Sequence, residues 1–293
     1  MQTSDILLTD QVAIVTGGGG GIGRSIALAM ATFGADVVIG DIVPERTEEV
    51  AERVRELGRR ALPVPMDVMD PEQIRGMIAK ADETFGRVDI LVNNAGGVSF
   101  KPLLQMSDNS FRRHLEINLV SAFVAVKAAA PIMIRGGRGG SIINISSIEG
   151  ERAAPNVGAY AAGKAGMINL TKTLALELSD HGIRVNAITP DHTVTPGNRG
   201  NRTGPVDPSK QRERAPNATE GMQAIIPLGR ESHSDEVGSV AAFLASSLAS
   251  YVTGVIMPVD GGTSAGSGWM RTQKGVWALH DKLAATPAER MQQ

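Results

Sequence analysis

Short runs that are apolar almost from end to end recur along this chain, each separated from the next by a stretch with helical signals. The runs are Val12–Val15, Asp36–Ile39, Ala61–Val64, Ile90–Val92, Ser141–Ile145, Arg184–Ile188 and Val255–Val259. A strand wetted on one face alternates apolar and polar residues. These do not alternate, so they suit strands covered on both faces. Among the intervening stretches, Ile22, Ile26, Met30 and Phe33 recur at near-helical spacing. Asp70-Pro71-Glu72-Gln73 reads as a helix start: a capping Asp, Pro at the first helical position and Gln three residues after the cap. A third helix is expected from about Ser107 through Phe111, Leu115, Leu119, Ala122 and Val126, ending near Pro131 or at Gly136-Gly137. Strands joined through helices build βαβ units, hence a parallel sheet with right-handed crossovers. The expected fold is α/β: a single doubly wound domain over residues 1–268, with seven parallel strands and helices on both faces.

Two regions break the rhythm. Residues 191–221 are polar, rich in Pro, Gly, Asn and Arg, and too long for an ordinary connection; such a loop is either a functional lid or disordered. Residues 269–293 follow the last strand as an extension with a short helix expected around Val276–Ala285; it is either a solvated appendage or a tail that docks on a neighbouring subunit. A formal charge of −2 and a pI near 6.2, with no run of either sign, argue against a nucleic-acid partner. The chain has no cysteine, which removes disulfides, thiolate nucleophiles and cysteine zinc sites, and no metal site is expected. Met1–Gln11 lacks a secretory pattern, and no segment reads as approaching the roughly 20 apolar residues that span a bilayer. A soluble, cytoplasmic protein is the expectation.

The first strand runs into Thr16-Gly17-Gly18-Gly19-Gly20-Gly21-Ile22-Gly23-Arg24, and a helix pattern follows at once. Glycines there let the backbone turn sharply and let a pyrophosphate come close, while the first amides of the helix supply donors and a favourable dipole. A glycine cluster alone is weak evidence, but strand before and helix after is the context a dinucleotide site requires. The next strand ends at Asp41, 18 residues beyond Gly23. A carboxylate there accepts hydrogen bonds from ribose hydroxyls and repels a 2′-phosphate, which favours NAD over NADP. Arg46 lies too far along the chain to be assigned a phosphate.

The pattern Thr16-Gly17-x-x-x-Gly21-x-Gly23 resembles the cofactor fingerprint of the short-chain dehydrogenase/reductase family. Asn93-Asn94-Ala95-Gly96 resembles that family's motif after the fourth strand, and Asp67-Val68 the pair that borders the adenine. The resemblance runs from about Gln11 to Gly262, with several motifs in the right order. It implies a Rossmann-type fold and a nicotinamide cofactor held by Gly17, Gly21, Ile22, Gly23, Asp41, Ile42, Asp67, Val68, Asn94, Ala95 and Gly96.

Tyr160 and Lys164 stand four apart in a segment that continues helically through Ile168, Leu170, Leu174 and Leu178, so both share one face. A free tyrosine, at a pKa of about 10, is too weak a base at neutral pH. A nearby ammonium is expected to lower that value and make the phenol a usable proton donor or acceptor. Ser147 lies 13 residues before Tyr160, at the carboxyl end of a strand, where ligands of open parallel sheets gather. The family's spacing selects Ser147 over Ser146. The resemblance implies a tetrad. In it Tyr160 exchanges the proton, Lys164 tunes Tyr160 and binds the nicotinamide ribose, Ser147 polarises the substrate oxygen, and Asn118 supports a water relay to the lysine.

The sequence departs from the family at two points. The usual Pro-Gly of the nicotinamide clamp is Pro190-Asp191, followed by Thr193 in place of an apolar residue and by the family's threonine, Thr195. Pro190, Thr193 and Thr195 are assigned to the cofactor, and Asp191 raises the question of a left-handed backbone that glycine would tolerate better. Gly163 stands where the family often has serine. Glu149, Arg152, Phe100 and His192 follow pocket-bordering positions, and the loop carries Arg199, Arg202, Arg212 and Arg214. The sequence thus reads as an NAD-dependent oxidoreductase acting on a small-molecule alcohol or carbonyl. The alternatives are a 3-oxoacyl-thioester reductase, which Asp41 disfavours, and an inactive NAD-binding sensor, which the intact Tyr–Lys pair disfavours. The resemblance also implies a homotetramer with contacts at the Tyr160 helix and at Asp260-Gly261-Gly262.

Overall fold

The protein is described from a computed structural model over residues 2–197, 204–206, 220–272 and 275–279. All seven apolar runs form strands: β1 (Val12–Thr16), β2 (Asp36–Asp41), β3 (Ala61–Pro65), β4 (Ile90–Asn93), β5 (Gly140–Ile145), β6 (Ile183–Pro190) and a last strand, Ile256–Val259. They make one parallel sheet in the order β3-β2-β1-β4-β5-β6, with Ile256–Val259 outermost beside β6. Successive residues of β1 face opposite cores. Ala13 and Val15 pack with Ile26, Met30, Val50 and Val54 on one face; Val12 and Ile14 pack with Met77, Ile78, Val124 and Met133 on the other. That two-sided burial is why the runs do not alternate. The first core is covered by α1 (Gly21–Thr32), α2 (Pro44–Glu56) and the helix Ser234–Ala245; α3 (Pro71–Phe85), α5 (Ser121–Gly136) and α6 (Gly158–Glu177) cover the second.

Chain order reverses at β1, which pairs with β2 on one side and with β4 on the other. A crevice opens at such a switch point, beyond the carboxyl ends of the strands.

The start expected at Asp70 is present, its side chain accepting from the Glu72 amide at 2.9 Å. The helix expected from Ser107 is continuous to Gly136, composed of α4 (Asp108–Leu115), a π turn at Glu116–Val120 and α5. A π turn inserts one extra residue into the helix and shifts the side-chain register there. One expectation is corrected by this helix. It spans 29 residues with a mean hydropathy of 1.9 over its most apolar window, long and apolar enough by composition to cross a bilayer. Half of that window is buried inside the protein, and its apolar length comes from packing in the second core.

The tail also differs from expectation. Trp277–Ala278 pairs antiparallel with Met270–Arg271, and the Arg271 guanidinium lies 5.2 Å from the Trp277 ring, so no helix starts at Val276. The remainder of that expected helix lies outside the described residues. In the long loop, Thr193–Val194 pairs with Ser232–His233 and Glu220–Ile225 is helical. Arg199, Arg202, Arg212 and Arg214 lie outside the described residues.

Candidate active site

The glycine loop fills the carboxyl end of β1 and is laced to β4 by two polar side chains. The Thr16 hydroxyl accepts the amides of Asn94 and Ala95 at 3.0 and 3.1 Å. The Asn94 amide donates back to the carbonyls of Thr16 and Gly17 at 3.0 and 3.1 Å. Gly17 and Gly21 have φ of +62° and +52°, which side-chain-bearing residues rarely adopt. A Cβ on Gly23 would sit 2.0 Å from the Gly17 carbonyl oxygen, so only glycine lets the helix start so close to the strand end. Gly20, at the N-cap of α1, caps with no side chain, leaving the first amides of the helix open to an anion. The loop therefore fits the phosphates of a dinucleotide. Ile22 follows, packed against the first core.

Asp41 ends β2 beside this loop. Its Oδ2 accepts the Gly19 amide at 3.0 Å and its Oδ1 the Val43 amide at 3.1 Å, so the carboxylate is fixed and aligned with the loop. Ile42 next to it is 63% exposed, an apolar surface of the kind a flat base covers. Asp67 caps its own turn, accepting the Met69 amide at 2.9 Å, and Val68 packs against the second core. Arg46 corrects the sequence reading. A Cβ on Gly19 would lie 2.7 Å from its Cβ and one on Gly20 3.3 Å from its Nη1, and its Nε donates to the Gly204 carbonyl at 2.6 Å. Distance along the chain was misleading because side chains lean toward a helix N-terminus, here the end of α2 that abuts the loop.

Lys164 is 3% exposed, and its Nζ donates to the Ile145 carbonyl at 2.8 Å. Burial lowers its pKa to about 8. The Nζ lies 5.7 Å from the centre of the Tyr160 ring, one helical turn back on α6. The Ser147 hydroxyl accepts the Glu149 amide at 3.2 Å and lies close enough to Tyr160 to act on its hydroxyl. Ser146 turns away, its hydroxyl donating to the Lys164 carbonyl at 2.9 Å.

The expected lowering of the Tyr160 pKa is not what the surroundings produce. Burial raises it, the Ser147 interaction opposes this, and the Glu149 carboxylate adds to the rise. The physical reason is burial: taking the phenol out of water disfavours its phenolate more than the Ser147 interaction favours it.

Asn118 sits in the π turn, fully buried. Its Nδ2 donates to the carbonyls of Gly97 and His114 at 2.9 and 3.0 Å, and its Oδ1 accepts the Gly97 amide at 3.1 Å. Two of these bonds fasten the Gly97 backbone to the helix, and the third returns to the helix one turn back. A Cβ on Gly96 would approach the Asn118 Oδ1 to 2.8 Å and the Lys164 Nζ to 3.3 Å, so Gly96, Asn118 and Lys164 meet at one point. Gly163 has a reason too: a Cβ there would lie 3.1 Å from the Asn118 Cβ, leaving little room for serine.

Beyond Pro190, Asp191 does not have positive φ, so it replaces glycine without strain at that bond. The Thr193 hydroxyl bonds the Asp191 carbonyl at 3.1 Å and the Ser232 hydroxyl at 2.7 Å. A Cβ on Gly21 would come within 3.0 Å of the Thr195 side chain, so this segment closes over the glycine loop. Across the mouth, Arg152 pairs with Glu149 at 2.8 Å and approaches Asp191 at 3.8 Å, as does His192. Phe100 is 77% exposed. The action of Glu149 on Tyr160 had no signal in the sequence, since it depends on the turn after Ser147 folding back.

A family model described as Enoyl-(Acyl carrier protein) reductase matches residues 17–264. The oxidoreductase UcpA of Escherichia coli (strain K12) is 40% identical over 260 residues, 88% of this chain and 95% of that protein. The solved structure of a short-chain type dehydrogenase/reductase from Mycobacterium marinum superposes with a TM-score of 0.78 at 33% identity, covering 89% of this chain and 98% of that one. The structure of 7α-hydroxysteroid dehydrogenase complexed with NADH and 7-oxo glycochenodeoxycholic acid gives 0.80 at 32% identity, covering 96% of this chain and all of the other.

Proposed function

Since this chain belongs to the short-chain dehydrogenase/reductase family, we propose that it is an NAD(H)-dependent oxidoreductase that interconverts a secondary alcohol and its ketone, with Tyr160 as the acid–base group. The observation that carries this reading is the meeting of Tyr160, Lys164 and Ser147 beside a glycine loop that fits a dinucleotide.

Gly17, Gly21, Ile22 and Gly23 with the start of α1 would hold the pyrophosphate, Asp41 and Ile42 the adenosine ribose, and Asp67 and Val68 the adenine. Asn94, Ala95 and Gly96 form the floor, while Pro190, Thr193 and Thr195 close over the nicotinamide end, whose ribose falls to Tyr160 and Lys164. When bound, the nicotinamide supplies or accepts the hydride. In ketone reduction the Tyr160 hydroxyl donates its proton to the substrate oxygen, which the Ser147 hydroxyl orients and polarises. The buried Lys164, fastened to the Ile145 carbonyl, would hold the nicotinamide ribose beside Tyr160, and Asn118 keeps the Gly96-Gly97 floor in register. In alcohol oxidation the same proton moves the other way.

The raised pKa of Tyr160 keeps the resting group in its acid form at neutral pH. Reduction is therefore expected to be fully active at pH 7, with kcat/KM for oxidation climbing as the pH is raised. Profiles of the two directions with the same slope would contradict this. A screen of secondary alcohols, sugars and sterols with NAD, read by NADH absorbance, tests the reading as a whole.

NAD preference rests on Asp41, although Arg46 beside it offers a counter-charge that a 2′-phosphate could use. Fluorescence titration should show NADH binding ahead of NADPH. Asp41→Ala should tighten NADPH binding by about tenfold, roughly 1.4 kcal/mol, and equal affinities in the natural chain would contradict the role given to Asp41. Gly23→Ala, whose new methyl would meet the Gly17 carbonyl, should weaken NADH binding by at least about tenfold. We also propose a homotetramer with contacts through α6 and the sheet edge at Ile256–Val259; light scattering of the purified protein tests it.

A further inference from the structure

Asp191 is the first residue past β6, at the mouth shared with the turn that carries Ser147. β5 and β6 are neighbours in the sheet, and the Ser146 amide donates to the Ile188 carbonyl at 2.8 Å, so the two strand ends stand side by side. Arg152 reaches across from the Ser147 turn to within 3.8 Å of the Asp191 Oδ1. A substrate whose reacting oxygen meets Ser147 and Tyr160 therefore has the rest of its body next to this carboxylate.

The Asp191 side chain is only 8% exposed. Its Oδ1 has ion-pair neighbours at 3.8 Å, Arg152 and His192, both too far for a hydrogen bond. Its Oδ2 is buried and has no hydrogen-bond partner among the described residues. A buried carboxylate oxygen without a donor is costly, and where it persists beside a catalytic group a ligand is the natural source of the donor. The backbone holds the residue in place without a left-handed conformation, and the Thr193 hydroxyl fastens its carbonyl.

Charge narrows the ligand. Arg152 is paired closely with Glu149 at 2.8 Å, and it feels Asp191 and Asp260 as well. One guanidinium thus serves three carboxylates and is not open to clamp the carboxylate or phosphate of a substrate. Resting on the alcohol dehydrogenase reading above, we propose that Asp191 is a substrate-binding residue that accepts a hydrogen bond from a second substrate hydroxyl. The enzyme is thereby selective for neutral polyhydroxylated substrates, such as aldoses or cyclic polyols, over single-hydroxyl or anionic alcohols.

The test measures kcat/KM with NAD for four probes: an aldose panel with inositol, cyclohexanol, a cyclic hydroxy acid and an amino alcohol. The natural chain should favour the polyhydroxylated probes. Asp191→Ala should lower the ratio of polyol to cyclohexanol kcat/KM by about 10–100-fold, as expected for losing a hydrogen bond to a charged group. Asp191→Asn, which keeps the shape, should lower it in the same direction. NADH titration should be unchanged in both variants, which excludes a general collapse of the site. Preference for the hydroxy acid or the amino alcohol, or an unchanged ratio in both variants, would overturn the inference while leaving the dehydrogenase reading intact. NADH binding with no turnover of any alcohol would overturn that reading and the inference with it.

Discussion

Lys164→Met is expected to give a protein that melts at a higher temperature than the natural chain and turns over no substrate. The Lys164 ammonium is 3% exposed and has one close acceptor, the Ile145 carbonyl at 2.8 Å. Burial pulls its pKa from 10.5 to about 8. At about 1.4 kcal/mol per pH unit, that fall sets a ceiling of about 3 kcal/mol on the strain of keeping the charge inside. The unfolded chain binds the proton more tightly than the folded one. Stability of the natural protein should therefore rise as the pH goes from about 8 to 10.5, and the whole penalty is present below about 8. Methionine has similar length and no charge, but it leaves the Ile145 carbonyl without this donor, a loss of about 1 kcal/mol. The net gain at pH 7 should be about 1–2 kcal/mol, or a few degrees in Tm. Thermal unfolding of both proteins at pH 7 and pH 10 checks this: the gap should shrink at the higher pH, and a less stable Met variant at pH 7 would contradict it. A residue kept at a cost to stability is what a functional group in a dry site is expected to be.

The fold was legible because its signals are local. Wholly apolar runs such as Val12–Val15 and Ile90–Val92 have no reading other than doubly covered strands once helical segments separate them. What was not legible depends on contacts between distant segments. Arg46 was dismissed on chain distance, yet the start of α2 points its side chain back at Gly19 and Gly20. The pKa of Tyr160 was assigned from its spacing to Lys164, but the Lys164 Nζ is directed at the Ile145 carbonyl and burial decides the direction. Asp191 was a question about backbone conformation in the sequence and is a question about an unpaired carboxylate oxygen in the fold. The apolar character of residues 108–136 was underread because polar residues such as Asn118 interrupt it, and their partners lie in another segment.

Tyr160→Phe separates chemistry from binding. The substitution removes one oxygen and keeps the ring, and the Lys164 bond to Ile145 does not involve that oxygen. The Ser147 hydroxyl still accepts the Glu149 amide, so the substrate-facing turn should keep its form. What is lost is the group that gives or takes the proton at the substrate oxygen. General acid–base catalysis by one positioned side chain contributes about 10²–10⁴-fold, so kcat should fall by that factor with NADH affinity held. The most direct test is kcat for ketone reduction at saturating NADH and pH 7, natural chain and Tyr160→Phe side by side, with NADH binding titrated in both. Equal NADH binding and a fall in kcat of at least about a hundredfold are expected; equal kcat in the two proteins would rule out Tyr160 as the proton donor.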